Sequence, residues 1–129
     1  MSLIIETARH WIGVPFRHQG RSLKDGVDCL GLIFCVGVET KLMRRGYDYT
    51  NYGHDPTWDL LLQIMRDAGY HSGSGSIFST TLDGHNTPHL GIMMSEGTFI
   101  HSSPLDRQVV EQSMESVQPI EYYRFPLEQ

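Results

Sequence analysis

The stretch Val27-Asp28-Cys29-Leu30-Gly31-Leu32-Ile33 places a cysteine directly after a carboxylate and before an apolar run. The apolar run that closes it is typical of a buried helix. Asp28 is predicted to be the helix N-cap, because its side-chain oxygen can accept a free backbone N–H of the first turn. Cys29 then lies in that turn, where the helix dipole favours an anion, so we expect a stabilised thiolate nucleophile. A small, buried and inert Cys29 is the alternative.

Length and composition predict a single domain over residues 1–129. The chain has 40% hydrophobic and 19% charged residues, as expected for a globular protein with one core. Its net charge is -5 and no Lys/Arg cluster extends beyond Arg44-Arg45, which argues against a nucleic-acid partner. No apolar run reaches the length of a membrane span, so we expect no membrane partner.

The amino terminus and the cysteines predict a compartment. The first residues lack the basic-then-apolar pattern of a signal peptide, so we expect a chain that is cytoplasmic as synthesised. Cys29 and Cys35 lie six residues apart on one predicted helix and cannot readily form a disulfide, which favours a reducing environment. Cys35 is expected to be part of the core.

Hydrophobic periodicity predicts three helices in the first half of the chain, over residues 3–12, 29–43 and 58–68. The basic residues and glycine at 44–46 are typical of a helix C-cap and predict the end of the second helix. Gly31, two residues after the cysteine, indicates that another backbone segment comes close to the helix there.

From residue 70 onward the pattern changes to that of β-strands. The Ser/Gly stretch 72–76 predicts a turn or flexible connection, residues 83–86 a turn, and residues 95–97 a hairpin loop. The sequence therefore predicts an α+β fold, with the N-terminal helices followed by a mostly antiparallel sheet on which the cysteine helix packs. The predicted strands cover residues 77–81, 89–94, 98–102, 109–112 and 122–125.

Two loops offer further candidate contacts. His18, in the polar and aromatic loop 15–22, is either a ligand or substrate contact or a solvated side chain. The tyrosine-rich loop 47–57 either lines a cleft or covers an edge of the core.

His89 and His101 lie on the two strands of the predicted hairpin. If Met94 and Thr98 pair across the turn, antiparallel register brings position 89 within about two residues of position 101. Both imidazoles can then face the cysteine helix. One would take the thiol proton and later protonate a leaving amine, and a second polar group would orient it. For either histidine alone, a satisfied polar residue at a sheet edge is the alternative.

Four blocks follow one another between residues 8 and 102: Ala8-Arg9-His10-Trp11-Ile12-Gly13-Val14-Pro15-Phe16-Arg17, Asp28-Cys29-Leu30-Gly31-Leu32, His89-Leu90-Gly91-Ile92 and Phe99-Ile100-His101-Ser102. Together they resemble the NlpC-type cell-wall endopeptidases, which are papain-like cysteine hydrolases of peptidoglycan stem peptides. The family pattern reads Ile-Gly-x-Pro-Tyr, Asp-Cys-Ser-Gly, His-Val-Gly-Ile-Tyr and Phe-Ile-His-Ala. The separation of 12 residues between the two histidines also suits the family.

The resemblance implies a papain-like fold forming one cysteine peptidase domain that uses no cofactor or metal. It implies that Cys29 is the nucleophile, His89 the general base and acid, and His101 the orienting group. The implied reaction is hydrolysis of amide bonds in peptidoglycan stem peptides, commonly between D-γ-glutamyl and the diamino acid. We predict that Phe16, His18 and Asp28 contact the substrate.

The departures from the family pattern are informative. Phe16 stands where most members have tyrosine, Leu30 where they have serine, and Ser76 where they have aspartate. The Pro-x-Arg-His-Gln and Asp-Cys-Leu-Gly-Leu variants resemble the phage-tail and gene-transfer-agent branch of the family. This resemblance implies a prophage product that is incorporated into tail particles beside tail-tip proteins.

Three other functions are consistent with the same residues. His85, His89, His101 and Cys29 could form a zinc site, although the short gap between the first two crosses a predicted turn. A papain-like fold could also carry another amidase or acyltransferase reaction. A non-catalytic structural module of a phage tail would keep an idle cysteine.

Overall fold

A computed structural model describes residues 2–47, 50–54, 56–82 and 87–128. In these segments three helices come first and a five-stranded antiparallel sheet follows. This is the predicted α+β class. The helices are α1 (Leu3–His10), α2 (Cys29–Glu39) and α3 (Trp58–Asp67); the strands are β1 (Arg21–Ser22), β2 (Gly26–Val27), β3 (His71–Thr81), β4 (Pro88–Met93), β5 (Thr98–Ser103), β6 (Gln108–Ser113) and β7 (Glu121–Arg124). The strands of the large sheet lie in the order β6-β5-β4-β3-β7.

Helix α2 lies in the centre of the molecule and packs against β4 and β5. Leu32, Ile33 and Val36 are fully buried, as the apolar run predicted. The predicted N-cap is confirmed, because Gly31 N–H donates to the Asp28 carboxylate at 2.8 Å. The helix is therefore held in the core along its length, and its N-terminus is fixed by a side chain.

The predicted end of the second helix, at 44–46, is wrong. Helix α2 ends at Glu39, and its C-cap is Thr40, whose hydroxyl donates to the Val36 carbonyl at 2.8 Å. The next residue, Lys41, has a φ of 62°. A left-handed residue cannot continue an α-helix, so the chain turns there without a glycine.

The other two helices agree with the prediction. Helix α1 places Ile4, Thr7 and Ala8 against the core. Helix α3 begins after Thr57, whose hydroxyl accepts the Leu60 N–H at 3.2 Å.

The turn predicted at 72–76 is also wrong, because these residues belong to the long strand β3. Ser72 and Ile77 both lie opposite Tyr123 of β7, with a bulge between them. Gly75 makes the bulge possible, since a side chain there would collide with the Tyr123 carbonyl. A Ser/Gly-rich composition is typical of flexible segments, but here it lets two backbones approach closely.

The predicted hairpin of β4 and β5 is confirmed, and so is its register. Met94 N–H donates to the Thr98 carbonyl at 2.8 Å at the turn. Ile92 then lies opposite Ile100, and Met93 opposite Phe99. The two histidine positions are therefore brought together on neighbouring strands, as the pairing of Met94 with Thr98 predicted.

The loop preceding α2 contains more structure than the sequence predicted. Strands β1 and β2 form a small antiparallel sheet that folds back toward the start of the helix. The predicted turn 83–86 lies outside the described residues, as do Asp48, Tyr49 and Asp55 of the tyrosine-rich loop. Among the helices that are described, none has the length and apolar character needed to cross a membrane.

Candidate active site

A cleft of about 270 Å³ opens where α2 begins and β4 begins. Cys29 is the first residue of α2 and His89 the second residue of β4, so both elements present their reactive side chain to the same cavity. Phe16, His18 and Asp28, the predicted substrate contacts, line this cleft too. The described part of the lining is completed by Leu30, Tyr52, Gly53, His54, Pro56, Leu61, Leu82, Thr87, Pro88 and Pro104.

Cys29 is half-buried, and its surroundings disfavour a resting thiolate. Burial, followed by the negative charge of Asp28, raises the pKa of the Cys29 thiol to about 12. The backbone N–H groups of Leu90 and Leu30 act against this rise, and so does the positive charge of Arg21, but they do not overcome it. The expectation that the helix N-terminus would leave a stabilised thiolate in the free protein is therefore wrong.

His89 is only 4% exposed, and its surroundings favour the neutral imidazole. Burial and the neighbouring His101 lower the pKa of His89 to about 3. The resting site consequently holds a neutral thiol and a neutral imidazole. The imidazole is thus in the form that can accept a proton.

His101 lies behind His89, where the prediction of an orienting group requires it to be. His89 Nε2 and His101 Nδ1 are 2.7 Å apart, and the two rings meet edge to face at 83°. His101 Nε2 is in turn 2.9 Å from the side-chain oxygen of Gln112 on β6. Burial lowers the pKa of His101 as well, although the hydrogen bond to Gln112 acts in the opposite direction. Gln112 lies in no sequence motif, so no signal in the sequence indicated its contact with His101.

Asp28 organises the floor of the cleft. Besides capping α2 it accepts the Gln19 N–H at 2.8 Å and pairs with the guanidinium of Arg21 at 3.1 Å. The hydroxyl of Tyr52 also donates to it, at 2.5 Å. Both carboxylate oxygens are thus engaged in holding the loops around Cys29. The predicted contact of Asp28 with substrate stays a prediction.

Tyr52 is a site residue that sequence analysis did not single out. The structure places it in the cleft, which resolves the open choice for this part of the tyrosine-rich loop. Its hydroxyl stands between the Asp28 carboxylate and the Arg21 guanidinium, which donates to it at 3.0 Å. A tyrosine therefore lines the cleft beside Phe16, with its hydroxyl bonded to Asp28 and Arg21.

His18 and His54 form one wall of the cleft. Their rings are stacked with centroids 3.9 Å apart, and His18 also meets the Tyr52 ring edge to face at 5.5 Å. His18 is half-buried and His54 exposed, so the pair lies at the rim of the cleft. This position is compatible with the predicted substrate contact of His18.

Of the four residues of the zinc alternative, His85 lies outside the described residues. Within the ranges that the structure describes, no group of three or more His, Cys, Asp or Glu side chains is placed to hold a metal ion.

No family model matches the chain. A Haemophilus influenzae protein described as "Probable endopeptidase" is 29% identical over 106 residues, which cover 80% of this chain and 59% of the relative. The chain thus spans about 59% of the length of this curated relative.

Solved structures share the fold. The NlpC/p60 domain of the peptidoglycan hydrolase SagA matches with a TM-score of 0.61 and 22% identity, over 92% of this chain and 93% of that one. NlpC2 from Trichomonas vaginalis matches with a TM-score of 0.67 and 16% identity, over 98% of this chain and 46% of that one. NlpC1 from the same organism matches with a TM-score of 0.60 and 16% identity, over 95% and 42%.

The chain therefore has the NlpC/p60 papain-like α+β fold. In this chain Cys29, at the N-terminus of α2, and His89, on the sheet, line the same cleft. Together with the curated relative, these likenesses support the prediction of a cysteine peptidase.

Proposed function

We propose that the chain is a cysteine endopeptidase that hydrolyses amide bonds in peptidoglycan stem peptides. The observation that carries this proposal is the shared cleft of Cys29 and His89, with His89 hydrogen-bonded to His101 behind it. A nucleophile, a base and a group that orients the base are the set that acyl transfer by cysteine requires. The SagA domain belongs to a peptidoglycan hydrolase and the Haemophilus influenzae relative is described as a probable endopeptidase, and both descriptions are consistent with the same chemistry.

The first half of the proposed reaction forms a thioester. His89 Nδ1, the ring nitrogen not engaged with His101, takes the Cys29 proton as the sulfur attacks the amide carbonyl carbon. The electron pair moves to the carbonyl oxygen, where the positive end of the α2 helix dipole stabilises the developing negative charge. The C–N bond then breaks, and the amine leaves with the proton that His89 held.

The second half releases the acid. His89 takes a proton from water, whose oxygen adds to the thioester carbon, and the C–S bond breaks. The sulfur regains its proton and the carboxylic acid product departs. Because the resting thiol and imidazole are both neutral, proton transfer accompanies attack in this scheme instead of preceding it.

The cleft fits a short peptide segment. Its volume of about 270 Å³ is close to the lower end of small-molecule sites. The rings of Phe16, His18 and Tyr52 provide apolar walls with polar edges. We assign the scissile bond to the one between D-γ-glutamyl and the diamino acid, on the resemblance of the four sequence blocks.

Digestion of purified peptidoglycan fragments, followed by mass spectrometry, tests this function. The wild type should release peptides with new termini at one amide bond, and Cys29→Ala should release none. Cys35→Ala is the matched control, because this second cysteine of α2 does not line the cleft. Cleavage that persists in Cys29→Ala would contradict the proposal. An intact substrate with the wild type would favour another amidase or acyltransferase, or a structural module.

We further propose that the protein acts from a phage or prophage tail tip, where it opens the wall during injection. The variant motifs at residues 15–19 and 28–32 support this assignment through their resemblance to the phage-tail branch. Synthesis in a cytoplasm without wall substrate would keep the thiol reduced until delivery. Proteomics of particles released after induction should find the chain in them. Its absence from particles, together with its presence in the periplasm of growing cells, would contradict this assignment.

A further inference from the structure

We propose that Gln112, itself held by Ser116, is a positioning residue that sets the tautomer of His89 through His101. The inference rests on the proposed function, and it extends the site beyond the three residues of the sequence motifs. Neither Gln112 nor Ser116 lines the described part of the cleft, so both would act through His101 without touching substrate.

The chain of hydrogen bonds can be followed from its outer end. The Ser116 hydroxyl donates to the Ser113 carbonyl at 2.7 Å, so its only proton is used. The same oxygen accepts the side-chain N–H of Gln112 at 2.9 Å. These two bonds fix the orientation of the Gln112 amide, with its NH2 group toward Ser116 and its oxygen on the other side. The reverse orientation would require Ser116 to give up its bond to Ser113.

With the amide oriented in this way, Gln112 presents its oxygen to His101 Nε2 at 2.9 Å. An amide oxygen only accepts, so His101 Nε2 must carry a proton. Burial lowers the pKa of His101, and the ring is therefore neutral with a single proton. Its Nδ1 is consequently bare.

The bare Nδ1 of His101 accepts from His89 Nε2 across 2.7 Å. The one proton of neutral His89 therefore resides on Nε2, and its Nδ1 is free to take the thiol proton. The opposite tautomer would place the proton on Nδ1, and His89 could then not accept the thiol proton there. Without Gln112 this choice is no longer enforced, because His101 could then present a proton at Nδ1.

The kinetic consequence is separable from a loss of binding. Gln112→Met keeps a similar shape but removes the strong acceptor, and we expect kcat to fall about tenfold, the equivalent of one neutral hydrogen bond. KM should be unchanged, because Gln112 lies outside the described lining of the cleft. Gln112→Glu keeps an acceptor for His101 Nε2, but its carboxylate raises the pKa of His101, so it should retain more of kcat than Gln112→Met only at alkaline pH, where His101 is neutral. Ser116→Ala, at an exposed position, should give a smaller loss of kcat.

Long-range ¹H–¹⁵N NMR of histidine-labelled protein tests the inference without any substrate. We expect the wild type to show His89 protonated at Nε2 and bare at Nδ1, and Gln112→Met to show a mixture of tautomers. Glu111→Gln is the matched control, because this neighbouring β6 residue bonds Thr98 and Arg9 instead of the histidines.

A wild-type His89 protonated at Nδ1 would overturn the inference, and so would tautomer populations unchanged in Gln112→Met. Both outcomes can be read even if the protein cleaves no peptidoglycan. A failure of this inference is therefore distinguishable from a failure of the proposed function.

Discussion

The imidazoles of His89 and His101 are joined across 2.7 Å, Nε2 to Nδ1, inside the sheet and away from solvent. Both pKa values are lowered, chiefly by burial, so this is a contact between two neutral rings. In the proposed mechanism the orienting group, His101, is thus an uncharged hydrogen-bond acceptor. A carboxylate in place of His101 would accept the same hydrogen bond and would also bring a negative charge.

Replacing His101 should therefore slow the reaction without abolishing it. His101→Ala leaves His89 without its orienting partner, and we expect kcat to fall about a hundredfold. His101→Gln should recover part of the loss, because an amide oxygen can accept from His89 Nε2. Steady-state kinetics on muropeptides measures both variants. If His101→Gln were as inactive as Cys29→Ala, His101 would have to carry a proton itself.

Acid should destabilise the fold through the buried histidine pair. Folding lowers the pKa of His89 from its ordinary 6.5 to about 3. Between these two values the unfolded chain binds a proton at His89 that the native chain does not bind. The free energy of unfolding therefore has its full value, as far as His89 is concerned, above pH 6.5. It decreases as the pH falls toward 3, by up to about 1.4 kcal/mol per pH unit. His101 contributes in the same direction.

Urea unfolding at a series of pH values measures this slope. His89→Gln should flatten the slope between pH 6.5 and pH 4, whatever its effect on absolute stability. The exposed His71→Gln is the control, because it removes an imidazole without opening the buried pair. A slope identical in His89→Gln and the wild type would contradict the buried neutral imidazole.

Tyr52→Phe should destabilise the protein by about 2 kcal/mol, since it removes one hydroxyl from a hydrogen bond to a charged carboxylate. The Asp28 oxygen and the Arg21 guanidinium would both lose a partner. Denaturant unfolding of Tyr52→Phe beside Tyr122→Phe, an exposed tyrosine on β7, isolates the buried hydroxyl. Equal unfolding free energies of the two variants would show that the Tyr52 hydroxyl does not stabilise the fold.

Gly31→Ala separates helix propensity from packing. Propensity alone would make alanine more stable by about 1 kcal/mol in the interior of a helix. A side chain at position 31, however, would collide with the Gly20 carbonyl oxygen, so we expect a net loss of about 1–3 kcal/mol. Gly53→Ala, which meets nothing within 4 Å, should leave stability nearly unchanged. A gain in the unfolding free energy of Gly31→Ala would contradict the close approach.

Local signals explain which parts of the site the sequence predicts. The N-cap role of Asp28 depends only on residues up to three positions further along the chain. The sequence alone therefore places Cys29 at a helix N-terminus. The histidines follow from hairpin register, because a four-residue separation of Met94 and Thr98 leaves little freedom. The close approach at Gly31 was predicted from its position and is confirmed by the Gly20 carbonyl.

Tertiary packing explains what the sequence did not predict. The sign of the thiol pKa shift depends on how deeply the finished fold buries Cys29, whereas the helix dipole is a local property. Tyr52 reaches the site from an irregular loop without periodicity. Gln112 contacts His101 only through the packing of β5 against β6 and the short 3₁₀ turn Met114–Ser116 that follows.

Trapping of the covalent intermediate tests the central claim most directly. Turnover of purified muropeptides would be quenched with acid within the first seconds, and the protein digested and mapped by mass spectrometry. We predict an acyl group on Cys29, with the mass of the peptide fragment on the carbonyl side of the cleaved bond, and none on Cys35. An acyl group on Cys35 would contradict Cys29 as the nucleophile. So would the absence of any adduct together with cleavage that continues in Cys29→Ala.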